Sequence, residues 1–155
     1  MIDRRRFVIG LALTPLAAAF TACGKKGTWA EGMTEIKWDR DTCVRCSMAI
    51  SDRRFAAEIV GGPKSSVLKF DDIGCVAFYL RDKLDQFPWL SEVTTRLWVA
   101  DMNNRGEVLN WLDARRAQYI SKASPMGYNY AAVSHPQAMS VDFATMRQHV
   151  LGKGK

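Results

Sequence analysis

Residues 55–84 read FAAEIVGGPKSSVLKFDDIGCVAFYLRDKL, and their order decides the fold class. Residues 55–60 are β-like and run into the turn Gly61-Gly62-Pro63-Lys64, after which residues 67–70 form a second short strand. Asp71 or Asp72 can then accept hydrogen bonds from the free amides that open a helix. Ile73, Val76, Ala77, Leu80 and Leu84 recur at helical spacing, which predicts a helix to about Leu84, ended before Phe87-Pro88. Downstream the theme returns without much shared sequence. Residues 96–101 and 117–121 read as strands, residues 128–133 alternate as another, and Pro136 sits where a last helix can start and run to about Val150. Two strand, strand, helix units in series predict an α+β fold with antiparallel pairing, divided into residues 36–92 and 93–155.

Composition narrows the function. The chain has 155 residues, 48% hydrophobic and 25% charged, enough to bury a core and incompatible with disorder throughout. Lys and Arg number 22 against 16 Asp and Glu. The first 22 residues hold three Arg and one Asp, so the remainder carries 19 against 15. A mild, scattered positive balance excludes a nucleic-acid partner, because phosphate binding needs basic residues gathered on one face.

Residues 1–22 read as an export signal. Arg4, Arg5 and Arg6 precede an apolar stretch of residues 7–22 that contains Pro15, too short and interrupted to span a membrane comfortably. Asp3-Arg4-Arg5-Arg6-Phe7-Val8 resembles a twin-arginine motif, and Phe20-Thr21-Ala22-Cys23 resembles a lipobox. Cleavage before Cys23 would leave an acylated first residue, stably anchored to the periplasmic face of a membrane without a spanning helix. Residues 23–35, with Gly24, Lys25, Lys26 and Gly27 after the anchor, are then a tether. Three cysteines remain: Cys43, Cys46 and Cys75. An odd number cannot all pair, and in an oxidising compartment an unpaired thiol is either buried, a metal ligand or part of a redox cycle.

The densest chemical signal is Cys43-Val44-Arg45-Cys46-Ser47-Met48. Cys-x-x-Cys lets two sulfurs approach one centre across a turn, and Cys46-x-Met48 puts a thiolate and a thioether on one face if the chain is extended there. Such soft donors select Cu(I), whereas structural zinc asks for four thiolate or imidazole ligands. The chain has only His135 and His149, and no second Cys-x-x-Cys. Two other readings of the same residues stand beside copper ligation. Cys43 and Cys46 could serve a thiol-disulfide oxidoreductase, although the extended look of residues 49–60 lacks the helix start that activates such a pair, or they could crosslink a structural lipoprotein.

Several separated motifs agree in order with one family. Cys43-Val44-Arg45-Cys46-Ser47-Met48, Phe70-Asp71-Asp72-Ile73-Gly74-Cys75, Trp98-Val99-Ala100-Asp101, Trp111-Leu112-Asp113-Ala114 and Ser124-Pro125-Met126-Gly127-Tyr128 together resemble the NosL family, the nitrous oxide reductase accessory lipoproteins. The resemblance covers about residues 43–133 and the lipoprotein signal. It implies two similar ββαβ-type units and a membrane-anchored Cu(I) metallochaperone, with no catalysis required. It also implies a partner, nitrous oxide reductase or its copper-site assembly transporter, although a related copper enzyme is an alternative acceptor. Its donors fall on Cys46, Met48 and Met126, with Cys43 at a position where members vary.

The remaining residues have plainer readings. Met126 lies between Pro125 and Gly127, a loop context unusual for a packed core methionine. Asp71 and Asp72 are helix caps, or for Asp72 a group that orients a ligand. Cys75 reads as a buried, inert thiol, and His135 before Pro136 as a surface turn rather than a ligand. Trp98 and Trp111 supply apolar area with one polar atom each to satisfy.

Overall fold

The computed structural model describes residues 29–154. The fold is α+β. Strands β1 (Ala57–Gly61) and β2 (Ser66–Phe70) form a hairpin, followed by helix α1 (Ile73–Lys83) and a single 3-10 turn over Pro88–Ser91. Strands β3 (Arg96–Ala100), β4 (Trp111–Asp113), β5 (Gln118–Ser121) and β6 (Tyr130–Val133) precede helix α2 (Phe143–Gly152).

The hairpin is held in the register Ala57 to Phe70 through Gly61 to Ser66, with Gly62, Lys64 and Ser65 at positive φ in the turn. Asp72 caps α1, its side chain accepting from the Gly74 amide at 2.8 Å. Of the expected apolar stripe, Ile73, Val76, Ala77 and Leu80 are buried, while Leu84 is the exposed C-cap. Helix α2 starts later than Pro136. Asp142 caps it by accepting from the Thr145 amide at 2.8 Å, and the preceding residues are occupied by a turn and by the bridge of Val141 to Tyr119.

The strands do not divide at residue 92. A four-stranded antiparallel sheet has the order β2-β1-β3-β4, so strands from both sides of the expected boundary share it, while β5 and β6 form a separate pair. Pairing β1 with β2 on one edge and β3 on the other satisfies its backbone groups on both sides, which a hairpin alone leaves half open. A parallel bridge from Asp101 to Ala132 connects the two sheets.

Strand alternation sorts the four-stranded sheet into two faces. Ala57, Ile59, Phe70, Leu97 and Val99 join α1, α2 and Tyr119 in the main apolar core. Glu58, Lys69 and Trp98 alternate with them and meet residues 29–38, which cross the sheet as an irregular strap. The strap is pinned by polar contacts: the Thr34 amide to Glu58 Oε1 at 2.8 Å, Lys69 Nζ to the Glu35 carbonyl at 2.6 Å, and Trp98 Nε1 to the Glu31 carbonyl at 3.1 Å. Trp29 stacks on Trp111 at 5.5 Å and on Trp38 at 6.3 Å, beside buried Ile36 and Ile50. Residues 29–35, expected as tether, are therefore packed on the sheet, because two indoles and their backbone partners make a binding edge that composition alone does not reveal.

Candidate metal centre

The Cys-x-x-Cys loop is built on backbone hydrogen bonds. Asp39 N donates to the Ile50 carbonyl at 3.0 Å and Ile50 N returns to the Asp41 carbonyl at 2.9 Å, closing a small antiparallel ladder with the Thr42 to Ala49 bridge. Inside it, Cys43 N donates to the Met48 carbonyl at 2.8 Å and Ser47 N to the Cys43 carbonyl at 2.9 Å. Ser47 takes φ of 61°, so the chain turns at the point where an extended path was expected. The strand-alternation argument that would align Cys46 with Met48 does not apply there. Met48 is 54% exposed, while Cys46 is partly buried against the core.

Two contacts set the loop on the sheet. Val44 N donates to the Lys69 carbonyl at 3.0 Å, and Lys69 Nζ reaches Asp41 Oδ2 at 2.6 Å. Because β2 leads through Asp71 and Asp72 directly into α1, docking the loop at the end of β2 brings it to the first turn of the helix. Cys75 occupies that turn. The sulfurs of Cys43, Cys46 and Cys75 all lie within 4.8 Å of one another, and all three are free thiols. Cys43 and Cys75 are buried; Cys46 is partly exposed.

The electrostatics follow from three thiols in one small space. The Cys75 thiol, hydrogen-bonded to Cys43, stabilises a Cys43 thiolate and brings its pKa down to about 5. The same contact raises Cys75, with burial adding to it, and burial raises Cys46. The trio thus releases one proton readily and holds the others until another positive charge arrives. Beside it, burial pushes Asp71 up to about 6, with the Cys43 charge adding to the effect, and burial raises Asp72 against the hydrogen bond from Ser124.

A thiolate sits about 2.3 Å from a bound d¹⁰ ion, so three around one ion stand roughly 4 Å apart. The observed cluster needs only small side-chain adjustment to reach that arrangement. Three sulfurs form a soft donor set suited to a soft, low-coordinate cation, and ligation supplies the positive charge that would release the remaining protons.

The other residues named from sequence fall as follows. Met126 is in the loop before β6, partly buried against the core that contains Cys43 and Cys75, and its amide donates to Asp72 Oδ2 at 3.2 Å. His135 is exposed in a bend and is not in the thiol cluster. Cys23 and the export signal lie outside the described residues. Trp98 satisfies its indole on Glu31, as noted above, and Trp111 packs on Trp29. The sequence reading of Cys75 as a buried, inert thiol matches its burial but not its place in the thiol cluster, since a Cys in the first turn of a buried helix reads as packing. The odd cysteine count leaves a ligand role open for it without choosing between that role and burial.

No family model matches the chain, and no curated protein matches it. The fold is similar to the crystal structure of the copper chaperone NosL from Shewanella denitrificans, with a TM-score of 0.53 and 17% sequence identity, covering 77% of this chain and 88% of that one. At that identity the likeness speaks for the fold.

Proposed function

We propose that this chain is a Cu(I) chaperone that holds one ion on Cys43, Cys46 and Cys75, with the Met126 thioether as a further donor and exposed Met48 as a thioether at the point of entry, and passes it to an acceptor. The observation that carries the reading is the trio of free thiols within 4.8 Å, assembled from a loop and a helix end distant in sequence. The fold it shares with a protein described as a copper chaperone supports it. Thiolates select Cu(I) over harder cations, and transfer requires donors that an incoming ligand can replace one at a time. Partly exposed Cys46, with exposed Val44 and Met48 on either side, offers such an entry point, while buried Cys43 and Cys75 hold the ion meanwhile.

The wider setting belongs to the same proposal. Cys23 carries a lipid anchor on the periplasmic face of a membrane, and the acceptor is nitrous oxide reductase, its assembly transporter or a related copper enzyme. Among the described residues no helix is long and apolar enough to cross a membrane. Cys23→Ser should abolish lipid labelling and release the protein from membranes.

The central test is an anaerobic Cu(I) titration of reduced protein against a competing chelator, repeated with Zn(II) and run beside thiol counting. A tight 1:1 Cu(I) complex, formed in preference to zinc, supports the chaperone. Equal or tighter zinc binding overturns it, and turnover of a disulfide substrate would transfer Cys43 and Cys46 to redox catalysis.

A further inference from the structure

Asp72 does more than a helix cap requires. Capping α1 uses one acceptor, Asp72 Oδ1, for the Gly74 amide at 2.8 Å, and a neutral Ser or Thr hydroxyl performs that task without burying a charge. Asp72 is fully buried, and its second oxygen is engaged elsewhere. Oδ2 accepts from Ser124 Oγ at 2.5 Å and from the Met126 amide at 3.2 Å, both in the loop before β6 and more than 50 residues along the chain. Ser124 Oγ in turn accepts from the Asn129 amide at 2.9 Å, which closes the loop on itself.

The same carboxylate therefore fixes two backbone points. One is Gly74, the residue before the Cys75 thiol; the other is Met126, which carries a thioether. Two further contacts press the loop onto the same place. Arg45, between the two loop cysteines, donates from Nη1 to Tyr128 Oη at 2.8 Å while its guanidinium lies 4.3 Å from the centre of the Phe78 ring. The Tyr128 ring sits over Gly74, where a Cβ would overlap it.

We propose that Asp72 is a positioning residue: through its bond to the Met126 amide it holds the thioether at the thiol cluster and so governs how quickly a bound Cu(I) is released. The proposal deepens the copper reading above and rests on it. A positioned thioether closes the ion's coordination without adding charge, and a carboxylate fixed by three donors keeps its distance from Cys75 constant while the ion is held. Asp72 touches neither the ion nor the acceptor; it acts through Met126.

The test is a double-mutant cycle read by copper release. Full-length reduced protein is loaded with one Cu(I), and the first-order rate of transfer to excess bathocuproine disulfonate is measured for the wild type, Asp72→Asn, Met126→Leu and the double variant. Asp72→Asn and Met126→Leu should each speed release about 10-fold. The double variant should be no faster than Met126→Leu alone, since Asp72 has nothing left to position. X-ray absorption should show Asp72→Asn losing the same sulfur neighbour as Met126→Leu. Ser124→Ala leaves the cap on Gly74 intact and removes one donor to Oδ2, so it should speed release in the same direction even if Asp72→Asn fails to fold. Additive rate effects, or release unchanged in Asp72→Asn and Ser124→Ala while the wild type binds Cu(I) tightly, would overturn the positioning role alone. A wild type that takes up no Cu(I) would overturn the copper reading and this role with it.

Discussion

The two faces of the four-stranded sheet are built from the same strands and do opposite things with ionisable groups. The face under α1 and α2 is apolar except at its edge, where three thiols and two carboxylates gather around the start of a helix. The face under the strap buries Glu58 among indoles and a passing backbone. Its cross-strand neighbour Lys69 directs its ammonium to Asp41 and Glu35 instead. Glu58 keeps one bond, from the Thr34 amide, and its Oε2 has no hydrogen-bond partner among the described residues. Burial pushes its pKa up to about 7. One face thus gathers thiols that a cation can deprotonate and bind. The other confines a carboxyl group best left protonated.

If that division is right, changes on one face should leave the other's property untouched. The largest effect belongs to the thiol edge. Cys46→Ser and Cys75→Ala should each lower Cu(I) affinity by more than about 100-fold in chelator competition, and leave the pH dependence contributed by Glu58 unchanged. Affinity within a few-fold of wild type for Cys75→Ala would return that residue to packing and leave a site on the Cys-x-x-Cys loop alone.

The strap face should answer to pH. The folded pKa of Glu58 lies above its ordinary value of 4.5, so the fold prefers the protonated acid. That contribution is fully present below pH 4.5 and is lost as pH rises through about 7. Glu58→Gln should therefore stabilise the protein at pH 8 by about 1–2 kcal/mol and have little effect near pH 4, measured by denaturant unfolding at the two pH values. Copper affinity should not change. A stability gain equal at both pH values would refute burial of the charge as its origin.

Smaller effects grade the strap contacts themselves. Trp98→Phe keeps a ring on the sheet and removes the indole donor to the Glu31 carbonyl, a loss of about 1 kcal/mol. Arg96→Ala breaks an exposed ion pair with Glu31 and should cost less than about 0.5 kcal/mol. A larger loss there would mean that the strap is held by charge rather than by indoles and backbone.

The helix-covered face was the legible one. Its strands alternate, Gly61-Gly62-Pro63-Lys64 announces the hairpin, and Asp72 announces the helix, so local rules and the final fold agree. The strap escaped because irregular chain has no period to detect. For the same reason Glu58, alternating with Ala57 and Ile59, reads as a solvent position until something is seen to lie on it. Strand β4 is only three residues, too short to alternate visibly, and its pairing to β3 is a long-range matter. At the metal centre, residue types were readable and their meeting was not. Cys43 and Cys46 announce themselves by spacing, whereas Cys75 joins them because the contacts of Val44 and Asp41 with Lys69 dock the loop where β2 ends.

The seat of Tyr128 on Gly74 has a consequence for inheritance. An added methyl group at position 74 has no room unless the ring at position 128 shrinks or leaves, and either change loosens the loop that carries Met126. A side chain at position 74 is therefore possible only where position 128 has lost its ring. Among chains that keep this fold and this loop, a glycine at the first and a large ring at the second should be passed on as one character. A lineage that carries a side chain at the first should lack the ring at the second.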